Sequence, residues 1–243
     1  MHQDFLLQEF LKVFSIIIIV MKTKIYPDSG VELTPFTARN YDKVMNIGSM
    51  GMYRSFIRKA IRDMEIQPDD QILDLGCGTG RNAALMAVNL NDKGFITGLD
   101  ISEDMEKQFL RRFRNDKRIE FINRRIDQPL NLKKRYDKVF ISFVIHGFPH
   151  EVRDSVIRNA YDHLNPGGQF IILDFGEFDL DIMPWLHRFI FKKIECIYAF
   201  DYIKRDWKDI LMGYGFDSFT ETFYVRKYVR LLSSVKHKPL TEA

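Results

Sequence analysis

ILDLGCGTGRN, residues Ile72 to Asn82, decides how this chain reads. A short apolar run broken by one acid, Asp74, passes into glycines at alternate positions, Gly76, Gly78 and Gly80. A basic residue, Arg81, and a helix-like segment follow. Glycine allows a tight turn and lets a ligand approach the main chain closely. The helix that follows offers its free N–H groups nearby. The spacing then separates ligands. A dinucleotide fingerprint is G-x-G-x-x-G, with pyrophosphate at the helix start, whereas the pattern here is G-x-G-x-G. Asp74 would disfavour a phosphate and suits a cation. The lysine followed by Ser or Thr of a nucleoside-triphosphate loop is missing.

Outward from this loop the chain repeats strand, turn and helix. Expected strands are 72–75, 95–99, 119–122, 138–142 and 169–174, with helices over 81–90, 103–113 and 151–164 between them. In the last helix Val152, Val156, Ile157, Ala160, Tyr161 and Leu164 share a face, and NPGG (165–168) stops it. Such alternation predicts an α/β fold, a Rossmann-like, doubly wound, seven-stranded sheet, mainly parallel. FDSFTETFYV and KYVRLLSSV would close it as an antiparallel pair at the C-terminal edge. Ahead of the loop, 37–47 and 52–64 read as helices, the second with Met52, Phe56, Ala60 and Met64 on one stripe. Residues 183–200 read as one apolar, aromatic helical segment, and 204–212 as another helix.

Ligands of such sheets sit beyond the carboxyl ends of the strands. Asp100 ends the second strand, twenty residues after Gly80, where a carboxylate can accept hydrogen bonds from both ribose hydroxyls. Asp127 lies near the end of the third strand, placed to accept from an adenine amino group, with Ile126 adding neighbouring contacts. The ligand implied is an adenosine bearing a positive, non-phosphate group, and S-adenosyl-L-methionine fits.

Here the sequence resembles the class I methyltransferases. ILDLGCGTG is similar to their glycine motif, GLDIS to their ribose acid motif, RID to their adenine motif and LNPGGQFIILD to the turn and strand that follow. The likeness spans about 37–235. NYDKVMNIGSMGMYRSFIRKAI further resembles the ubiquinone/menaquinone C-methyltransferase branch. The resemblance implies that Gly76 and Gly78 border the methionine part of the donor, Asp100 the ribose and Asp127 the adenine. Met105 would cover the adenine face and Tyr41 would close over the methionine end. Ser142 and Phe143 would lie at the fourth strand's tip, beside the methyl group. Asp74, Cys77, Gly80 and Ile101 complete the expected cofactor-binding set. No metal is expected.

Methyl transfer from a sulfonium is a direct displacement, so alignment and desolvation provide much of the acceleration. A base is needed only where the acceptor must lose a proton. His146, in SFVIHGFPH after the fourth strand, is the candidate. The quinone enzymes carry an arginine–asparagine pair soon after this strand. Here Val144, Ile145 and His146 stand instead, which counts against a quinone. A lid over 177–212, with Trp185, Phe189, Tyr198 and Phe200, suggests a small, partly apolar acceptor, quinone-like or lipid-like. Alternatives are a small amine or thiol as acceptor, a non-catalytic adenosylmethionine-binding scaffold and, third, an oxidoreductase.

The bulk numbers agree with one domain, 37–243, behind an N-terminal extension, 1–36. With 46% hydrophobic residues, 28% charged and a net charge of +3, a packed core is feasible and no nucleic-acid partner is implied. Residues 111–135 hold ten Lys/Arg against three acids, with only Phe113 and Phe121 as aromatics. That reads as a solvated face, or one attracting an anionic lipid or acceptor, and not as a base-stacking platform. Two distant cysteines, Cys77 and Cys196, fit a reducing cytoplasm. The apolar run VFSIIIIVM (13–21) is about half of the ~20 residues of a spanning helix. It reads as a docked element, as a peripheral membrane or partner contact, or as an extension ahead of a start at Met21.

Overall fold

β-strands and helices alternate from Gln71 onward in the structure, a computed structural model that describes Ser29 and residues 52–237. The elements are α1 (Met52–Arg62), β1 (Gln71–Leu75), α2 (Arg81–Ala87), β2 (Phe95–Asp100), α3 (Glu103–Arg112), β3 (Ile119–Asn123) and β4 (Tyr136–Ser142). They continue with α4 (His150–His163), β5 (Leu164–Phe175), α5 (Trp185–Ile194), α6 (Ile197–Tyr202), α7 (Trp207–Gly213), β6 (Phe216–Tyr224) and β7 (Val229–Lys236). The strands form one sheet in the order β3-β2-β1-β4-β5-β7-β6. The five strands β3 to β5 run parallel, and β7 returns antiparallel between β5 and β6. This is the Rossmann-like, doubly wound seven-stranded sheet expected from the sequence, including the antiparallel edge.

Alternation along β1 and β4 divides the core. Leu73, Leu75, Val139 and Ile141 face Val156, Ile157 and Ala160 of α4 and the lid elements. Ile72 and Phe140 face the other way, against Ile57, Ala60 and Ile61 of α1, Ala83 and Met86 of α2, and Phe109 of α3. Both faces are thus covered, as a parallel sheet requires. Each large aliphatic side chain removed from water contributes about 1.5–3 kcal/mol. Helix α3 starts where Ser102 accepts the Met105 N–H at 3.4 Å, with Glu103, Asp104 and Glu106 in its first turn and Arg111 and Arg112 in its last. These charges oppose the helix dipole.

Three expectations change. NPGG does not form a separate turn: Leu164 pairs with Tyr136, and the chain enters β5 through a register shift in which Gly167 takes φ +80°. The helix expected over 183–200 is two helices, broken at Glu195 and Cys196, both in extended conformation. Helix α7 begins later than expected, at Trp207, because Asp206 caps it by accepting the Asp209 N–H at 3.0 Å. The expected helix over 37–47, the apolar run 13–21 and Tyr41 lie outside the described residues. Ser29, the described point of the N-terminal region, donates its hydroxyl to the Gly147 carbonyl at 2.6 Å. Among the described residues no helix is long and apolar enough to cross a membrane.

Within the basic stretch 111–135, Arg118 pairs with Asp116, Lys134 with Glu120 and Arg125 with Asp127. Arg124 donates to the Leu130 carbonyl, and Arg135 to those of Asp162 and Leu164. Much of this charge therefore serves the fold's own surface.

Candidate active site

Strand order reverses between β1 and β4, and the glycine loop leaves β1 at that switch point. Its three glycines do different work. All take positive φ, 76° at Gly76, 53° at Gly78 and 74° at Gly80, a region that side chains disfavour. At Gly80 a Cβ would lie 2.5 Å from Phe113 and 2.7 Å from Phe109, so this glycine serves packing of the loop on α3. At Gly76 a Cβ would lie 2.8 Å from a Val144 methyl carbon, so this glycine joins the loop to the segment after β4. Only at Gly78 is the space open, with Met105 Sδ 4.0 Å from such a Cβ. Cys77 turns inward, its Sγ 2.8 Å from a Cβ built on Gly98, and burial raises its thiol pKa well above the usual value. A ligand can meet Cys77 through the backbone alone.

Two carboxylates flank the opening. Asp100 accepts the Gly78 N–H on one oxygen and the Ser102 N–H on the other, each at 2.9 Å. Burial raises its pKa, against the lowering effect of the N–H groups of Ser102, Gly78 and Ile101. Asp74 is 1% exposed, and its Oδ2 has no hydrogen-bond partner. Burial, and after it the charge of Asp100, pushes its pKa up to about 7. A buried oxygen of that kind beside an open loop fits a ligand carrying positive charge.

The residues expected at the adenine lie beside the third strand. Ile126 and Asp127 are buried, and Asp127 is paired with Arg125 through both oxygens. A carboxylate accepts more than two hydrogen bonds, so the pair leaves capacity for a donor. Asn159 of α4 fixes this turn: its Nδ2 donates to the Ile126 and Gln128 carbonyls at 2.8 and 2.7 Å, and its Oδ1 accepts the Leu130 N–H at 3.2 Å. The sequence reading passed over Asn159. Its signal was a polar residue inside the apolar stripe of α4. Met105 is buried, while Ile101 is exposed at the rim.

Ser142 ends β4, and Phe143 follows it at φ 52°, its N–H donating to the Leu173 carbonyl at 2.9 Å. His146 follows in a short 3₁₀ turn, Ile145–Gly147. Its Nδ1 is 2.7 Å from Asp174 Oδ1 on β5, and its Nε2 is 3.6 Å from Glu195 Oε2 at the break between α5 and α6. Burial pulls the imidazole pKa down, but the charges of Asp174 and Glu195 outweigh it and push it up to about 9. Burial pushes Glu195 up to about 7, with the His146 cation pulling the other way.

Arg153, fully buried in α4, ties this side together. It donates to the carbonyls of Ile145, His146 and Tyr198 and to the Asp201 carboxylate, at 3.2, 3.1, 2.6 and 2.7 Å. It also lies over the stacked rings of Tyr202 and Trp207. Neither Arg153, Asp174 nor Glu195 was singled out in the sequence. Arg153 was visible as a charge adjoining Val152 on the apolar face. Asp174 and Glu195 lie 28 and 49 positions from His146, so only folding joins them.

The aromatic side chains expected to face an acceptor divide. Trp185 is 73% exposed and Phe189 is also exposed. The ring that turns in is Phe191, 5.2 Å from Phe175, 5.6 Å from Phe178 and 5.4 Å from Phe200 between centroids. Phe175 in turn contacts Phe143 at 6.3 Å and His146 at 4.9 Å.

Residues 72–168 match the model of a methyltransferase domain. The chain is 31% identical over 202 residues to the ubiquinone/menaquinone biosynthesis C-methyltransferase UbiE of Wigglesworthia glossinidia brevipalpis, covering 82% of this chain and 72% of that one. It is 26% identical over 160 residues to the demethylmenaquinone methyltransferase of Lysinibacillus sphaericus strain C3-41, covering 66% of this chain and 68% of that one. The fold is similar to that of the N-methyltransferase NodS from Bradyrhizobium japonicum WM9 in complex with S-adenosyl-L-homocysteine. There the TM-score is 0.56 and the identity 12%, over 76% of this chain and 87% of that one. This chain belongs to the class I S-adenosylmethionine-dependent methyltransferases, and S-adenosyl-L-methionine is its cofactor. Within that class its relatives stand with the ubiquinone and menaquinone C-methyltransferases.

Proposed function

We propose that the protein methylates a small aromatic ring carrying an apolar substituent, a quinol-like acceptor, at a ring carbon. The observation that carries this reading is the continuous aromatic wall of Phe143, Phe175, Phe178, Phe191 and Phe200, running from the strand tips to the lid. Flat rings pack well against edge-to-face partners. The exposed Ile182, Trp185 and Ile197 on the lid leave apolar surface for a tail. The quinone-methylating relatives support the same class. Free thiols at Cys77 and Cys196 support a reducing, cytoplasmic setting.

The donor would be held by Asp74 toward its positive groups, the Gly76–Gly78 backbone along the methionine part, Asp100 at the ribose, and Met105, Ile126 and Asp127 around the adenine. When bound, it supplies an electrophilic methyl group on a sulfonium. This chain's residues orient the two partners and exclude water from between them, the effects that most accelerate such a displacement. His146, charged and fixed by Asp174, acts here as an anchor of the acceptor wall.

The test is transfer of a labelled methyl group to separate pools of quinols, lipids, amines and thiols, with mass spectrometry of the product. A ring-carbon methyl on a quinol supports the reading. Label in an amine or thiol product replaces it with the small-amine or small-thiol alternative. Donor binding without turnover in any pool would instead mark a scaffold.

A further inference from the structure

The apolar segment 183–200 contains no glycine, and its one proline, Pro184, precedes α5; nevertheless, the chain interrupts its helix at Glu195 (φ −83°, ψ 147°) and Cys196 (φ −72°, ψ 163°). The break turns a carboxylate inward. The Glu195 side chain is 6% exposed, and its Oε2 stands 3.6 Å from His146 Nε2, across the ring from the nitrogen that binds Asp174. Among the described residues, no hydrogen bond reaches the Glu195 oxygens. An ionised carboxylate buried in that way is costly unless something compensates it, and a carboxyl group so perturbed next to a ligand-binding loop is a candidate for chemistry.

The cluster adjoins the donor loop. Val144, two residues before His146, is the side chain that packs on Gly76. Phe175, which contacts both Phe143 and His146, forms the wall between them.

We propose that Glu195 is the base that takes the hydroxyl proton of the quinol-like acceptor, with Asp174 and His146 as positioning residues. This rests on the reading of the acceptor as a flat ring. The hydroxyl proton passes to a Glu195 oxygen, and the O–H pair becomes a phenolate pair delocalised into the ring. The ring carbon beside the oxygen then forms the new carbon–carbon bond to the methyl group, while the sulfur–methyl pair stays on sulfur. The hydrogen on that carbon leaves to solvent as aromaticity returns, and Glu195 then releases its proton.

The surroundings suit a base near neutral pH. Burial pushes Glu195 up to about 7, opposed by His146 and aided by Asp174. Cys196 adds to the field at His146. Tyr202 of α6 faces the same cluster, raised by burial and then by Asp174, with Arg230, Arg153 and Glu177 acting on it from β7, α4 and the segment after β5.

The experiment is a spectroscopic titration of the S-adenosylhomocysteine-loaded protein with 2-naphthol, whose ionised form absorbs at longer wavelength. Wild type is expected to bind naphtholate at neutral pH. Glu195→Gln should bind neutral naphthol, and Glu195→Asp should restore part of the ionised signal, with S-adenosylhomocysteine affinity equal in all three. With a turned-over quinol, kcat should fall about a hundredfold or more in Glu195→Gln and lose its acidic limb. Neutral naphthol in wild type, equal ionisation in Glu195→Gln, or no naphthol binding would overturn the assignment. Ionisation that depends on Glu195, in a protein that methylates no quinol, would keep the base and sink the quinol reading instead.

Discussion

The donor half of the site and the acceptor half treat buried charge in opposite ways. On the donor side, Asp74 and Asp100 stand near one another without, among the described residues, a cationic side chain between them, and an oxygen of Asp74 has no partner there. On the acceptor side, the buried charges have opposite neighbours among the described residues: Asp174 and Glu195 flank His146, and Arg153 meets Asp201. A buried charge left unpaired invites a ligand, whereas a paired one specifies a shape. In the proposed reading the donor half receives a cation, and the acceptor half holds Glu195 and an aromatic wall in place for a neutral molecule.

Removing a member of the paired side should produce the largest effect. Arg153→Met leaves three carbonyls, two of them buried, without their donor, a cost of about 3 kcal/mol. Thermal denaturation should show Tm falling by roughly 6–12 °C. An unchanged Tm would mean that the acceptor half does not depend on its buried cation.

Removing a member of the unpaired side should act on binding. Asp100→Ala deprives the Gly78 and Ser102 N–H groups of their acceptor and should weaken S-adenosylmethionine by roughly tenfold or more, the scale of a lost charge-assisted pair. Calorimetric titration reads this directly. Equal affinity in a folded variant would remove Asp100 from the donor site.

The smallest effect expected sharpens the contrast most. The folded-state pKa of Asp74 is raised to about 7 from 3.8. The folded protein therefore binds this proton more tightly than the unfolded chain, and stability is lost as pH rises from the unfolded value through the folded one. Asp74→Asn removes that loss. Its Tm should exceed that of wild type by about 2–6 °C near pH 8, with the gap closing toward about pH 4. The same variant should bind the cationic donor more weakly. A variant less stable than wild type at all pH values would show that Asp74 is compensated after all.

How much of this could be read in advance followed the same division. The donor half is local: strand, loop and helix follow one another within residues 71–87, so glycines and acids at strand ends announce it in one dimension. Even there, packing assigned the roles. Only the three-dimensional surroundings separate Gly78, open to a ligand, from Gly80, pressed on Phe109 and Phe113. The polar residues of α4 were legible as breaks in its apolar stripe, but the partners of Arg153 and Asn159 were not.

The sequence by itself determined the doubly wound sheet, the antiparallel edge and a donor that is adenosine-like and cationic, because periodicity and strand-end position are properties of contiguous residues. The tertiary structure decided the acceptor half. His146, Asp174 and Glu195 come from a turn, a strand and a helix break, and no spacing rule links them. Glu195 was hidden most deeply, since its segment has full helical character in sequence, and the interruption that turns its carboxylate inward carries no glycine or proline to mark it.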